Sequence, residues 1–289
     1  ATVEKKLVSD YDNTVKYLFS FADNCCVESV VMQYKHGYSI CISTQVGCRM
    51  GCTFCATGKS GFSRNLTASE MLAQIQSAQK DLGIQISNIV LMGMGEPLDN
   101  YQQVLRFLEL VSSDEGMNIG MRHISVSTCG IVDKIYDMAN RKLQCTLSVS
   151  LHAPNDNLRS QTMPINKKWG VAQLLKACKY YSDTTRRRIS FEYAMISGLN
   201  DSDAQARELA GKLKGILSHV NLIPVNDVTG NHYKKSSAQR LHAFCSILEK
   251  HGITATVRRT LGSDIQASCG QLQRRYKEEV NNIESAQSN

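Results

Sequence analysis

Short runs of β-branched residues alternate with amphipathic helical segments along most of this chain. Seven runs are candidate strands, at residues 39–43, 88–92, 123–127, 146–151, 189–195, 219–223 and 253–257. A helix is expected between the first two, because Thr67 and Glu70 form a capping-box pair and Gly83 follows the last apolar residue. Repeated strand–helix–strand units require a parallel sheet with helical crossovers. The pattern predicts an α/β fold, either a whole or partial barrel or a doubly wound sheet.

Length, charge and hydropathy limit the class of protein to which this chain can belong. The 289 residues, 42% of them hydrophobic, suffice for one large core. No apolar run could cross a bilayer, and residues 1–10 lack the apolar centre of a signal peptide. We expect a cytoplasmic protein that has no membrane partner and acts as a monomer. The net charge of +7 permits a nucleic-acid partner, although solvated helix faces are the simpler explanation of charge alone.

The eleven cysteines divide into those with a motif and those without. Cytosolic thiols stay reduced, so a disulfide framework is not expected. Six cysteines have no motif around them and are predicted to be small buried residues: Cys25, Cys26, Cys129, Cys145, Cys178 and Cys245.

Cys48, Cys52 and Cys55 follow directly after the first predicted strand. A loop this short can bring three thiolates to one [4Fe-4S] cluster and leave the fourth iron open to a ligand. A structural zinc site needs four ligands, and no second CxxC or HxxxH follows in the sequence. A thioredoxin-type pair would use only Cys52 and Cys55 and would leave Cys48 unexplained. The spacing therefore predicts that these three cysteines are metal ligands.

Glycines and small polar residues stand where successive predicted strands end. Residues 93–97 follow the second strand with two glycines and Glu96; the glycines admit close approach of a ligand, and the carboxylate can pair with an ammonium group. Hydroxyl, imidazole and amide groups follow the third, fourth and sixth strands and suit a ribose and an adenine. Each segment alone could be an ordinary turn, and His152 alone a structural histidine. Their joint occurrence at one edge of a parallel sheet favours a binding site.

The cysteine spacing, with Phe54 just before the last cysteine, resembles the radical S-adenosylmethionine (SAM) superfamily. The resemblance implies a partial parallel (β/α)6 barrel whose cofactors are a [4Fe-4S] cluster and SAM. In that superfamily the open iron binds SAM and delivers the electron that cleaves it to a 5′-deoxyadenosyl radical. It also implies that the strand-end residues bind the cofactor: Gly95, Glu96, Ser127, Ser150, Leu151, His152 and Asn226.

A narrower resemblance rests on residues 27–30, 41–58, 92–97, 148–154 with 163–166, and 264–272. These segments are similar to the radical SAM RNA methyltransferases that act on C2 of an adenine in 23S rRNA and in tRNA. The resemblance implies that Cys269 carries the transferred methyl group and that Glu28 is a proton acceptor. It also implies that Cys41 resolves the RNA adduct by proton removal and by forming a disulfide with Cys269. It implies RNA and an electron donor such as flavodoxin as partners.

The same resemblance divides the chain into three parts. Residues 1–36 form a strand-rich N-terminal extension, residues 37–272 the barrel, and residues 273–289 a C-terminal helix or tail. Family members carry a small helical RNA-binding domain ahead of the region at Val27, and we expect that domain to be absent here.

Three other functions stay open. The first is methylation of C8 of the same adenine, as in resistance enzymes, although Pro97 and residues 258–262 look more like the C2 enzymes. The second is a non-catalytic iron–sulfur or zinc protein that binds RNA. The third is a radical SAM enzyme that acts on a peptide or a small metabolite.

Overall fold

The computed structural model describes residues 1–225, 233–259, 261–265, 267 and 272. Within them the strands are β1 (Thr2–Val8), β2 (Val15–Ser20), β3 (Cys26–Tyr34), β4 (Gly37–Cys41), β5 (Gln45–Gly47), β6 (Phe62–Asn65), β7 (Ile86–Leu91), β8 (Ile124–Thr128), β9 (Thr146–Ser150), β10 (Ile189–Met195), β11 (Ser218–Pro224) and β12 (Ala255–Val257). The α-helices are α1 (Ala56–Lys59), α2 (Ala68–Leu82), α3 (Tyr101–Ser112), α4 (Val132–Asn140), α5 (Asp156–Thr162), α6 (Val171–Thr185), α7 (Asp203–Leu213) and α8 (Ala238–Lys250).

A ten-stranded sheet organises the molecule, in the order β1-β2-β3-β4-β7-β8-β9-β10-β11-β12. From β4 to β12 every pairing is parallel, and helices connect successive strands. The seven parallel strands match the seven predicted from the sequence, and the predicted partial α/β barrel is confirmed. Among the described strands, no pairing joins β1 to β12 and closes the ring.

Three antiparallel strands extend the sheet beyond β4 on the N-terminal side. β1 pairs with β2, β2 with β3, and β3 with β4. One continuous sheet therefore runs from the predicted N-terminal extension into the predicted barrel. The division of the chain at residues 36 and 272 stays a prediction.

Helix α2 shows how local sequence sets an element of this fold. Its capping box is formed as predicted: Thr67 accepts a hydrogen bond from the Glu70 backbone N–H, and the Glu70 carboxylate accepts one from the Thr67 backbone N–H. Gly83 ends the helix in the left-handed conformation, with φ of 64°. The face of α2 that carries Met71 and Ile75 is buried against the sheet.

The two faces of the parallel sheet differ in polarity because strand side chains alternate. Apolar residues of one face pack into the main core beneath the helices, as Val126 and Val149 do. The other face carries hydroxyl, amide and carboxyl groups, among them Ser127, Ser150 and Glu192. Polar groups that line the inside of the open barrel are therefore available for ligands.

The cysteines without a motif follow their prediction in part. Cys26, Cys129, Cys145 and Cys178 are buried, as predicted. The prediction was wrong for Cys25 and Cys245, which are half-buried. The thiol of Cys245 on α8 lies between the Ala255 carbonyl of β12 and Glu249, one helical turn away.

In the described part of the chain, no helix has the length and hydropathy needed to span a membrane.

Candidate active site

The three motif cysteines lie on one loop, between β5 and α1. The Cys48 backbone N–H donates to the Gly61 carbonyl at 2.8 Å, and the Cys55 N–H donates to the Cys52 carbonyl at 3.1 Å. Burial raises the pKa of the Cys48 thiol to about 12, and the neighbouring Glu96 and Cys55 add to the shift. Burial also raises the pKa of Cys52, with added effects from Cys55 and Cys48. The fold thus brings the three thiols within electrostatic reach of one another.

This set of donors fits an iron–sulfur cluster better than a single metal ion. Over residues 1–225 and the shorter described stretches, no three His, Cys, Asp or Glu side chains are arranged to hold one ion. The thiolates of a [4Fe-4S] cluster bind separate irons and need not converge on one point. The three thiols are half-buried, so they are both shielded and reachable. Since burial keeps Cys48 and Cys52 protonated, cluster binding must release protons.

The glycine-rich loop after β7 lies against the strand that leads into the cysteine loop. Gly95 has φ of 105°, and a Cβ atom there would lie 2.6 Å from the Gln45 Cβ. Only glycine fits this approach. The adjacent Glu96 is 3% exposed, and its backbone N–H donates to the Gln45 side-chain oxygen at 2.8 Å.

The Glu96 carboxylate connects two strand ends. One oxygen accepts the Cys129 backbone N–H at 2.6 Å, and the other accepts the Leu98 N–H at 3.0 Å. Burial raises the pKa of Glu96, while these hydrogen bonds favour its charged form. The side chains of Thr128 and Cys129 also donate to this carboxylate, so its acceptor positions, about four in all, are engaged within the protein. The negative charge of Glu96, not a vacant acceptor position, would attract an ammonium group.

His152 is held in one orientation by its surroundings. Its φ is 57°, an uncommon conformation for a residue other than glycine. Its Nδ1 accepts the Ala194 backbone N–H at 2.9 Å, and its ring meets the Phe54 ring edge-on at 4.7 Å between centroids. Burial lowers the pKa of His152 to about 3, so the ring is neutral. His152 therefore joins the end of β9 to the aromatic residue of the cysteine motif.

The remaining predicted cofactor residues lie at the same edge of the sheet. Ser127 and Ser150 are half-buried near the ends of β8 and β9. Leu151 is fully buried, and its backbone N–H donates to the Glu192 carbonyl at 3.1 Å. Asn226 lies outside the described residues. The cofactor-binding role of the whole set stays a prediction.

Arg159 on α5 holds the ends of β8 and β9 together, a role that the sequence did not predict. Arg159 is fully buried. Its guanidinium donates to the carbonyls of Cys129, Ser150 and Leu151 and to the side chain of Asn166. Nothing in the polar segment 157–161 distinguishes this arginine from a solvated one. Its positive charge is close enough to affect the Cys52 thiol.

A second group of predicted residues lines a cavity of about 340 Å³ beside the glycine-rich loop. Its walls include Glu28, Cys41, Gly93, Arg258 and Ala267. Burial raises the pKa of the Cys41 thiol to about 11, and the charge of Arg258 opposes the shift. Cys269 lies outside the described residues, two positions beyond Ala267 in the sequence. The cavity therefore brings Glu28 and Cys41 together and receives the segment that precedes Cys269.

Lys16 is a partner of Glu28 that the sequence likewise did not predict. The Lys16 ammonium lies 2.9 Å from the Glu28 carboxylate, and the two side chains are 1% and 2% exposed. Lys16 is the one charged residue of β2, whose other residues are apolar apart from a terminal serine. A lone lysine within an apolar strand was the available signal.

A parallel α/β sheet with three cysteines after its first parallel strand and a glycine–carboxylate loop after the next defines a class of enzyme, the radical SAM proteins. Comparison with known proteins agrees: residues 42–210 match the Radical SAM superfamily. A protein of Clostridium botulinum named "probable dual-specificity RNA methyltransferase RlmN" is 55% identical over 274 residues, which cover 95% of this chain and 80% of that protein. The protein of the same name from Alkaliphilus oremlandii is 54% identical, with the same coverage.

Solved structures give the same result. A radical SAM methyltransferase from Sphaerobacter thermophilus superposes with a TM-score of 0.90 at 46% identity, covering 93% of this chain and 80% of that one. Streptococcus suis SuiB, bound to its precursor peptide, has a TM-score of 0.57 at 15% identity over 76% of this chain and 48% of its own, which shows the shared fold alone. The chain belongs to the radical SAM superfamily and, within it, to the family of dual-specificity RNA methyltransferases.

Proposed function

We propose that this protein methylates C2 of an adenine in 23S rRNA and in tRNA, with SAM as the methyl donor. One observation carries the proposal: Glu28 and Cys41 share a cavity with Gly93 of the glycine-rich loop and with Ala267, close in sequence to Cys269. A binding module without chemistry has no need for a carboxylate and a thiol in one cavity. The family membership supports RNA as the substrate.

The chemistry follows from the substrate. C2 of adenine is electrophilic, so direct displacement at the SAM methyl group has no nucleophile there. A [4Fe-4S] cluster held by Cys48, Cys52 and Cys55 supplies, when bound, the electron that converts SAM into a 5′-deoxyadenosyl radical. The loop at Glu96 and the strand ends at Ser150 and His152 hold SAM in place. The edge-on contact between Phe54 and His152 packs an aromatic ring beside the cysteine loop.

The two isolated cysteines divide the methyl transfer between them. Cys269 first carries the methyl group, and loss of one hydrogen atom from it to the 5′-deoxyadenosyl radical lets its carbon bond to C2 of the RNA base. Loss of one electron, which the oxidised cluster would accept, and of the C2 proton then restores the aromatic ring. Cys41 then attacks the sulfur of Cys269: a disulfide forms, the carbon–sulfur bond breaks, and the carbon keeps the electron pair and takes up a proton. The buried thiol of Cys41 is protonated at neutral pH, so a proton acceptor is needed, and Glu28 lies in the same cavity.

The partners follow from the same chemistry. Arg258 and Arg259 line the cavity and provide positive charge for an RNA phosphate. An electron donor such as flavodoxin must reduce the cluster. We place the reaction in the cytoplasm, where both RNA substrates are found, and expect the enzyme to act as a monomer.

The paired cysteines provide the decisive test. With reconstituted enzyme and labelled RNA, Cys269→Ala should give neither methylated protein nor RNA product. Cys41→Ala should accept the methyl group and bond to RNA, then stall as a covalent protein–RNA species on a denaturing gel. The matched control is Cys178→Ala, a buried cysteine on α6, which should still release product. Equal partial losses in both variants, with no cross-linked band, would contradict the mechanism.

Mass spectrometry of the RNA nucleosides identifies the reaction of the wild-type enzyme. We expect 2-methyladenosine. A product of 8-methyladenosine would assign the enzyme to the C8 reaction instead. SAM cleavage without any methylated RNA would point to a peptide or metabolite substrate, and a bound cluster without SAM cleavage to a non-catalytic RNA-binding protein.

A further inference from the structure

We propose that Lys16 is a positioning residue of the methyl transfer: its ammonium group holds the Glu28 carboxylate in an ion pair in the cavity beside Cys41. This inference rests on the proposed role of Glu28 as proton acceptor. It adds a residue from β2, outside the parallel barrel, to the reaction.

Strand register places Lys16 on the same face of the sheet as two residues that line the cavity. In the antiparallel pairings, Lys16 lies opposite Val30, and Val30 lies opposite Cys41. Directly opposed residues of neighbouring strands point to the same face of a sheet. Glu28 lies two residues from Val30 on β3 and so shares that face. The three strands β2, β3 and β4 therefore carry Lys16, Glu28 and Cys41 side by side.

The cost of burying charges shows that stability alone does not account for a lysine at this position. Removing two charges from water costs several kcal/mol per ion, and replacing a buried ion pair by apolar side chains is often neutral or stabilising. An apolar pair at 16 and 28 would serve a sheet core as well. A carboxylate buried beside a thiol, however, stays charged at neutral pH only if a cation faces it. The pair is thus better explained by the reaction than by stability.

Lys16 contacts that carboxylate directly, with its ammonium group 2.9 Å away. The other titratable groups lining the cavity are Tyr34 on β3, Cys41 on β4, and Arg258 and Arg259 after β12. Both arginines are exposed, so solvent weakens their charges, although Arg258 still acts on the Cys41 thiol. The pKa of Cys41, about 11, keeps this thiol from titrating between pH 6 and pH 9. A pH effect in that range would therefore come from the carboxylate.

The test measures release of RNA from the covalent protein–RNA species between pH 6 and pH 9, in single turnover with the reconstituted full chain. Lys16→Met should release RNA at least about tenfold more slowly than the wild type at pH 7, because a buried carboxylate without a cation takes up a proton. Its release rate should then rise about tenfold for each unit of increasing pH. Lys16→Arg should keep the wild-type profile. Glu28→Gln should release RNA slowly at every pH, since its amide cannot accept the proton.

Each alternative result has its own meaning. Equal slowing by Lys16→Met at all pH values, or a Lys16→Arg variant as slow as Lys16→Met, would show a structural role and overturn the inference. A Glu28→Gln variant that releases RNA at the wild-type rate would remove the proposed role of Glu28 and the inference with it, while methylation itself stands. If Lys16→Met does not fold by circular dichroism, Lys16→Gln replaces it in the same comparison.

Discussion

Two buried cations of this protein are neutralised in different ways, and the difference separates scaffold from chemistry. Arg159 is surrounded by three backbone carbonyls and one amide oxygen, so its charge holds strand ends in place. Lys16 forms an ion pair with the Glu28 carboxylate, so its charge acts on a reactive side chain. Arg159, bound to carbonyls, therefore organises the part of the site predicted to bind the cofactor. Lys16, bound to a carboxylate, organises the cavity that contains Glu28 and Cys41.

The largest expected effect separates the cysteines of the two regions. Cys48→Ala should abolish the brown chromophore after anaerobic reconstitution, because one lost thiolate leaves two irons open. Cys41→Ala should keep the full chromophore, since Cys41 belongs to the cavity. Absorption in the thiolate-to-iron charge-transfer bands measures the cluster content of both variants. Cys145→Ala, which changes a buried cysteine, is the control. A complete cluster in Cys48→Ala, or its loss in Cys41→Ala, would erase the division between the two regions.

The next effect concerns stability and compares the two cations directly. Arg159→Met leaves several buried acceptors without a donor, each costing about 1–3 kcal/mol, so we expect a loss of about 3 kcal/mol or more. The double variant Lys16→Met with Glu28→Leu removes both charges and should change the free energy of unfolding by less than about 1.5 kcal/mol.

Urea denaturation of the cluster-free protein measures both values. Arg159→Lys keeps the charge but cannot donate to all four oxygens. Its free energy of unfolding should therefore lie between those of the wild type and Arg159→Met. Similar losses in Arg159→Met and in the double variant would mean that the two cations do the same structural work.

The smallest effect concerns SAM binding at the cofactor side. Glu96→Gln removes the charge that faces the ammonium group and keeps an oxygen for one backbone N–H, so SAM affinity should fall by about 1–3 kcal/mol. Calorimetric titration of the cluster-loaded enzyme measures it, and the exposed Glu109→Gln on α3 is the control. Unchanged affinity would leave Glu96 as a second scaffold residue, in the same role as Arg159.

The candidate site was predictable from sequence where neighbours in the chain decide the chemistry. Cys48, Cys52 and Cys55 are close in sequence, so a short loop must bring them together. Glu28 and Cys41 could be paired only through family resemblance, because the sequence does not state the register of β3 against β4. Arg159 gave no signal at all, since its burial depends on strand ends that are distant along the chain.

The sequence by itself determined the seven parallel strands, the helix between the first two of them and the cysteine loop of this protein. Alternation of apolar residues, the capping box at Thr67 and the stop at Gly83 act over a few residues, and the structure forms each of them. Only the tertiary structure decided which charges are buried and what neutralises them. Lys16 meets Glu28 through the register of two antiparallel strands, and Arg159 meets its carbonyls through the packing of α5 on two strand ends. Electrostatic energy depends on distance and solvent exposure, and both are set by residues far apart in the sequence.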